Sequence, residues 1–140
     1  MKFLYTFYLI LSSSLLLSAQ PLLTVDFSTG YPPAGWTIDL QAGNWSAVSS
    51  INAGGTAPEL RFNYSPSFTG TTHFISPSVD LTGQTSVSLQ FKHKIDHYGG
   101  AYTVGVATRS NSGTWNTVWS KVNPTGDVQA EEIVTLNNAD

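Results

Sequence analysis

The chain has 140 residues, enough for one domain, with nine acidic against six basic side chains and a net charge of −3. So sparse and slightly acidic a charge argues against nucleic acid, whose binding needs clustered Lys and Arg. Cysteine is absent, which excludes a thiol nucleophile, a redox pair and a zinc–thiolate centre.

Residues 1–19 carry the pattern of a secretory signal peptide. Lys2 gives the positive start, Phe3 to Leu17 the apolar stretch, and Ser18 and Ala19 the small residues before a cleavage point at Gln20. A membrane anchor is the alternative, but spanning needs about 20 apolar residues, and Ser12, Ser13 and Ser14 dilute this run. The expected location is therefore secreted or cell-surface, with no membrane contact after cleavage. The remaining domain, residues 20–140, is large enough to bury a hydrophobic core without disulfides.

Along that domain, Leu22 to Phe27 reads as a first strand. The run STGYPPAG ends it, because Pro32 and Pro33 lack backbone donors and Gly30 and Gly35 mark turns. Trp36 to Asp39 and the run from Trp45 follow as short strands, and 51–58 is a loop. Glu59 to Tyr64 alternates, with Leu60, Phe62 and Tyr64 on one side. Thr71 to Ser76 and Ser78 to Leu81 are strand-like, and Pro77 between them suits an edge.

The clearest signal runs from Ser86 to Arg109. Val87, Leu89, Phe91 and Ile95 alternate with Ser88, Gln90, Lys92, Lys94 and Asp96, the two-residue period of a half-buried strand. Gly99 and Gly100 permit a reversal, and Tyr102, Val104 and Val106 alternate after it, so the stretch predicts a long antiparallel hairpin. Thr114 to Val122 and Val128 to Leu136 complete the series, separated by the turn residues of 123–127. No segment has helical periodicity. Short strands with frequent turn signals predict an all-β, antiparallel β-sandwich of jelly-roll type. The last strand ends at Leu136 with nothing to cap it, so a further C-terminal strand is expected to be missing.

Residues able to carry chemistry are few. His93 and His97 lie four apart, roughly 13 Å along a strand, too far to share one small ion, so His93 is expected at the end of the core face and His97 on the turn. Glu131 and Glu132 are adjacent and point to opposite faces, not the same-face arrangement of sandwich-fold glycosidases. No Gly-x-Ser-x-Gly elbow and no phosphate-binding glycine loop occurs. Calcium is the open cofactor: Asp26, Asp39, Asn44, Glu59 and carbonyls near Gly54 and Gly55 supply hard oxygens, although no Asp-x-Asp-x-Asp-Gly loop is present and plain surface solvation is the simpler account of them. Trp115 and Trp119 share a face of one strand with Thr117; tryptophan's usual burial makes that face core, with a platform for sugar rings as the alternative. Sequons at Asn44 and Asn63 matter only in a eukaryotic secretory pathway.

Several runs resemble a known family. FSTGYPPAGWTI (27–38), the block GGTAPELRFNYSPSFTGTTHFISPSVDLTG (54–83), SLQFKHKID and GVATRSNSGTWNTVWS occur in the order found in bacterial choice-of-anchor J and cleaved-adhesin modules, relatives of MAM-type domains. The resemblance implies a concanavalin-like jelly roll without enzymatic activity. Such modules belong to large secreted or surface proteins with other domains in the same polypeptide, and they bind glycans or proteins, some of them with calcium. It makes Asp26 the leading calcium ligand; Glu59, from the oxygen donors above, is the second candidate. Two features depart from the family: after Gly35-Trp36 only Asp39 is acidic, and the usual closing Asp-Asp pair is absent. The expectation is a non-catalytic adhesion module contacting glycans or extracellular proteins, with Trp115 and Trp119 as its ligand-binding candidates. A spacer domain, or an accessory domain of a secreted hydrolase, is the alternative.

Overall fold

A computed structural model describes residues 20–111 and 113–136. Residues 1–19, with the signal-peptide helix expected for them, and residues 137–140 lie outside the described residues. The described chain is built of short antiparallel strands: β1 (Thr37–Ile38), β2 (Trp45–Val48), β3 (Glu59–Phe62), β4 (Phe74–Ile75), β5 (Val87–Ile95), β6 (Thr103–Thr108), β7 (Asn116–Val122) and β8 (Val128–Leu136). A 3-10 turn, Ala42–Asn44, leads into β2. The all-β expectation is met.

The pairing is nested, and it is nested twice. β1 pairs with β4 around the β2–β3 pair, and β5 pairs with β8 around the β6–β7 pair. The β5–β8 ladder is the longest, running in register from Val87↔Leu136 to Ile95↔Val128. Both strands alternate in burial, and the alternations are in step. Residues directly opposite on an antiparallel ladder share a face. Val87, Leu89, Phe91 and Ile95 therefore lie with Leu136, Val134 and Val128 on the inner face. Lys92 and Glu131 lie opposite each other on the wet face, 3.8 Å apart. Ile95, only 6 % exposed, is deeply buried on the inner face.

The second stabilising element is a chain of aromatic contacts. Phe74 on β4 stacks on Trp36 at 5.0 Å and lies 5.6 Å from Trp45, and Phe27 and Tyr31 close the group. Trp45 meets Phe62 across the β2–β3 pair at 4.9 Å. Phe62 meets Phe68, and Phe68 meets Tyr64, so the contacts continue onto the 63–68 segment. Offset and edge contacts of this kind contribute about 0.5–1.5 kcal/mol each beyond the area they bury. Trp45 Nε1 also donates to Thr72 Oγ1 at 3.0 Å, satisfying the indole's polar edge.

Asn44 anchors that segment. It is 3 % exposed, and its Nδ2 donates to the carbonyls of Asn63 at 2.7 Å and Pro66 at 2.8 Å. Its own backbone carbonyl accepts from the N–H of Asn63. A buried amide with both donors used is a structural fastener, and its side chain is not open to attachment of a glycan in the fold.

Three sequence expectations need correction. The predicted hairpin between the two halves of 86–109 does not pair: β5 takes β8 as its partner, and β6 takes β7. β8 matches β5 in length and in alternation of apolar side chains, whereas β6 is shorter and exposed over its first half. Gly99 and Gly100 do adopt positive φ, 90° and 86°, but inside a longer loop and not a two-residue turn. Leu22 to Phe27 forms no strand; residues 22–26 are exposed and Phe27 has a φ of 59°. In the 71–81 region only Phe74–Ile75 pairs, and the chain leaves the ladder just before Pro77, which has no N–H to donate.

Candidate ligand-binding surface

The two calcium candidates are each tied to their own loop. Asp26 Oδ1 accepts from the backbone N–H of Ser28 at 3.0 Å and its hydroxyl at 2.8 Å, which holds the carboxyl below its ordinary range. It borders a shallow cleft of about 430 Å³ lined also by Leu23, Trp36 and Pro77. Glu59 starts β3 and reaches back over the 51–58 loop. Its carboxylate accepts the backbone N–H groups of Asn52 and, at 2.8 Å, Ala53. Burial alone would raise the Glu59 pKa, but these amides and the Ser50 hydroxyl bring it below the ordinary value. Among the described residues, no three His, Cys, Asp or Glu side chains gather into a group that could hold a metal.

The two tryptophan candidates part company. The β6–β7 register steps from Val106↔Trp119 to Ala107↔Thr117, so Val118 is an extra residue and the two-residue period is broken between Trp115 and Trp119. Trp119 turns to the β5 inner face, with Phe91 edge-on at 5.1 Å and His93 at 4.8 Å. His93 is only 11 % exposed and reaches Glu132 at 3.3 Å, as expected for a residue of the core face. Trp115 instead stacks on His73 at 4.9 Å and carries the Arg109 guanidinium 4.2 Å from its ring centre. Its π-surface is thus already engaged within the protein.

His73 brings a partner, Asp39, that the sequence offered only as one of several oxygen donors. Its Nδ1 lies 2.5 Å from Asp39 Oδ2, and its backbone N–H donates to Asp39 Oδ1 at 2.7 Å. Leu40 N–H donates to the same oxygen. Burial pushes the Asp39 carboxyl up, but the hydrogen bonds from His73, its charge and the Leu40 amide together leave it below 3.8. The two residues lie 34 apart in the chain, and the β1–β4 pairing brings them together.

A third aromatic group was missed entirely. Tyr98 stacks on Tyr64 at 5.6 Å and on Tyr102 at 5.4 Å, with interplanar angles of 22° and 17°. His97 stacks on Tyr102, and its Nδ1 lies 3.1 Å from the Tyr102 hydroxyl. Tyr98 is nevertheless 60 % exposed and Tyr64 40 %. The loop carrying these rings is held at both ends. The N–H of His97 donates to Asp127 Oδ1 at 2.9 Å, while Tyr102 N–H donates to Asn123 Oδ1 and Tyr102 C=O accepts from Asn123 N–H. Asp127 also takes the Lys94 ammonium on Oδ2 at 2.7 Å. Burial raises the Tyr102 pKa, and the nearby Tyr98, Asp127 and Asp96 raise it further. The one sequence clue was a large aromatic, Tyr98, placed directly against a glycine pair between two strands. No family model, curated protein or solved structure matches the chain.

Proposed function

We propose that this chain is a non-catalytic binding module of a secreted or cell-surface protein, exported by its 1–19 segment, built as a β-sandwich, and contacting glycans or extracellular proteins. The observation that carries the reading is the set of ordered yet exposed aromatic rings on the 97–102 loop. Exposed apolar surface that is held in place by hydrogen bonds, and not by burial, is a common mark of an interaction site. The twice-nested antiparallel pairing supports a jelly-roll-type sandwich, because both nest the outer strands of a run around the inner ones. The order of family-like motifs from Phe27 to Ser120 points the same way. In a multidomain protein, repeated weak contacts of this kind gain strength through avidity.

The test is binding of the purified chain to a glycan array and to a panel of extracellular matrix proteins. Saturable binding to one class supports the reading. Silence across both would favour a spacer, and hydrolysis of a bound glycan would replace binding with catalysis.

A further inference from the structure

Resting on that reading, we infer that the Tyr64–Tyr98–Tyr102 array is a carbohydrate platform, on which a neutral pyranose stacks against Tyr98 while the Asp127–Lys94 pair at its margin hydrogen-bonds two neighbouring hydroxyls. Three observations lead there. The first is the exposure of Tyr98. A tyrosine that contributes two ring contacts yet leaves 60 % of its surface to water offers a flat, rigid, amphipathic face. Such a ring has few rotatable bonds, so ordering it against a ligand costs little entropy.

The second is preorganisation. The loop is fastened to the 123–127 turn through His97, Tyr102 and Asn123 before any ligand arrives. The β5–β8 register explains why: it ends at Ile95↔Val128, which delivers the loop after β5 and the turn before β8 to the same end of the ladder. Contacts set in advance lower the ordering cost of binding.

The third is the chemistry at the rim. Asp127 presents a carboxylate that is 54 % exposed, and Lys94 an ammonium group 2.7 Å away. A vicinal diol offers a donor and an acceptor at a similar spacing, and charged partners form the stronger hydrogen bonds. An aromatic face beside an acceptor–donor pair matches a sugar, whose C–H face is apolar and whose edge is hydroxylated. Trp115 has two ring partners as well, His73 and Arg109, but it is half-buried where Tyr98 is largely exposed, so the platform is distinct from it.

The experiment is titration of the full chain with neutral hexaoses of β-1,4-glucan, β-1,4-xylan and α-1,6-mannan, read by calorimetry and by amide chemical shifts. Binding to at least one hexaose is expected, with shifts concentrated at 94–102 and 123–127. Tyr98→Ala should weaken it at least about tenfold and Trp115→Ala by less than about twofold. Should Tyr98→Ala melt far below the wild type, Asp127→Asn serves in its place. It keeps the His97 acceptor and should weaken binding about fivefold through loss of the charged partner. Binding that survives both variants but is lost in Trp115→Ala would overturn the platform while leaving the binding module intact. Capture of a matrix protein with no hexaose bound would overturn the carbohydrate assignment alone. Failure to bind any glycan or protein would sink both readings together.

Discussion

Replacing Asn44 by Ala tests whether the loops that carry the tyrosines are fastened as described. The change removes two side-chain hydrogen bonds, at 2.7 and 2.8 Å, and leaves the carbonyls of Asn63 and Pro66 without those donors. Each such bond contributes about 1 kcal/mol net, and a stranded buried acceptor adds to the loss. Asn63 and Pro66 are themselves exposed, so water can recover part of that second cost. The balance is a destabilisation of about 2 kcal/mol. For a domain of this size that lowers the melting temperature by roughly 8 °C. Asn44→Asp is the sharper variant. It keeps the shape but sets a carboxylate against two carbonyl oxygens, so it should cost roughly 3 kcal/mol. Urea and thermal unfolding followed by circular dichroism give both numbers. If both variants melted within about 2 °C of the wild type, the fastening argument would be wrong. Because Asn44 holds the segment bearing Tyr64, hexaose binding should also weaken in Asn44→Ala below its melting point.

Other changes have equally definite outcomes. A Cβ at Gly105 would sit 2.9 Å from the Trp119 carbonyl oxygen, so Gly105→Ala should push β6 off β7 and cost about 1–3 kcal/mol, whereas near-normal stability would show that the pair tolerates separation. Glu59→Gln leaves one acceptor for two loop amides and should lower stability by roughly 1 kcal/mol, measured by urea titration; no loss would remove the loop clip from the account. The same carboxylate bears on calcium: with its oxygens on amide hydrogens, the melting temperature should not respond to a chelator, and a drop of several degrees would mean that a cation competes for it. Asp39 supplies a pH dependence. Its folded-state pKa lies below 3.8, so its contribution is present above that value and is lost as pH falls through the folded pKa. Asp39→Asn should therefore flatten the acid limb of a plot of melting temperature against pH below about 4, and parallel limbs would refute the pairing.

Local periodicity settled the secondary structure wherever one face of a strand is buried. The alternation of Val87 to Ile95, and of Val128 to Leu136, was visible because an apolar side chain every second residue has one physical solution in water. The inward place of His93 followed from the same count, as did the opposite faces of Glu131 and Glu132. Which strand joins which is a different matter. Two glycines between alternating runs suggested neighbours in sequence, but the ladder formed between the strands whose lengths and apolar faces matched, β5 and β8. A bulge at Val118 then separated Trp115 from Trp119, a shift of one residue that no composition or spacing discloses. The tyrosine array and the Asp39–His73 contact were hidden for the same reason. Their members come from distant segments, Tyr64 with Tyr98 and Asp39 with His73, and their meeting depends on chain reversals set by long-range pairing. Residue order alone thus decided what each strand buries, because burial of alternate side chains is a local property. The tertiary structure decided what the loops bring together, because strand pairing minimises exposed edge and apolar surface over the whole chain at once.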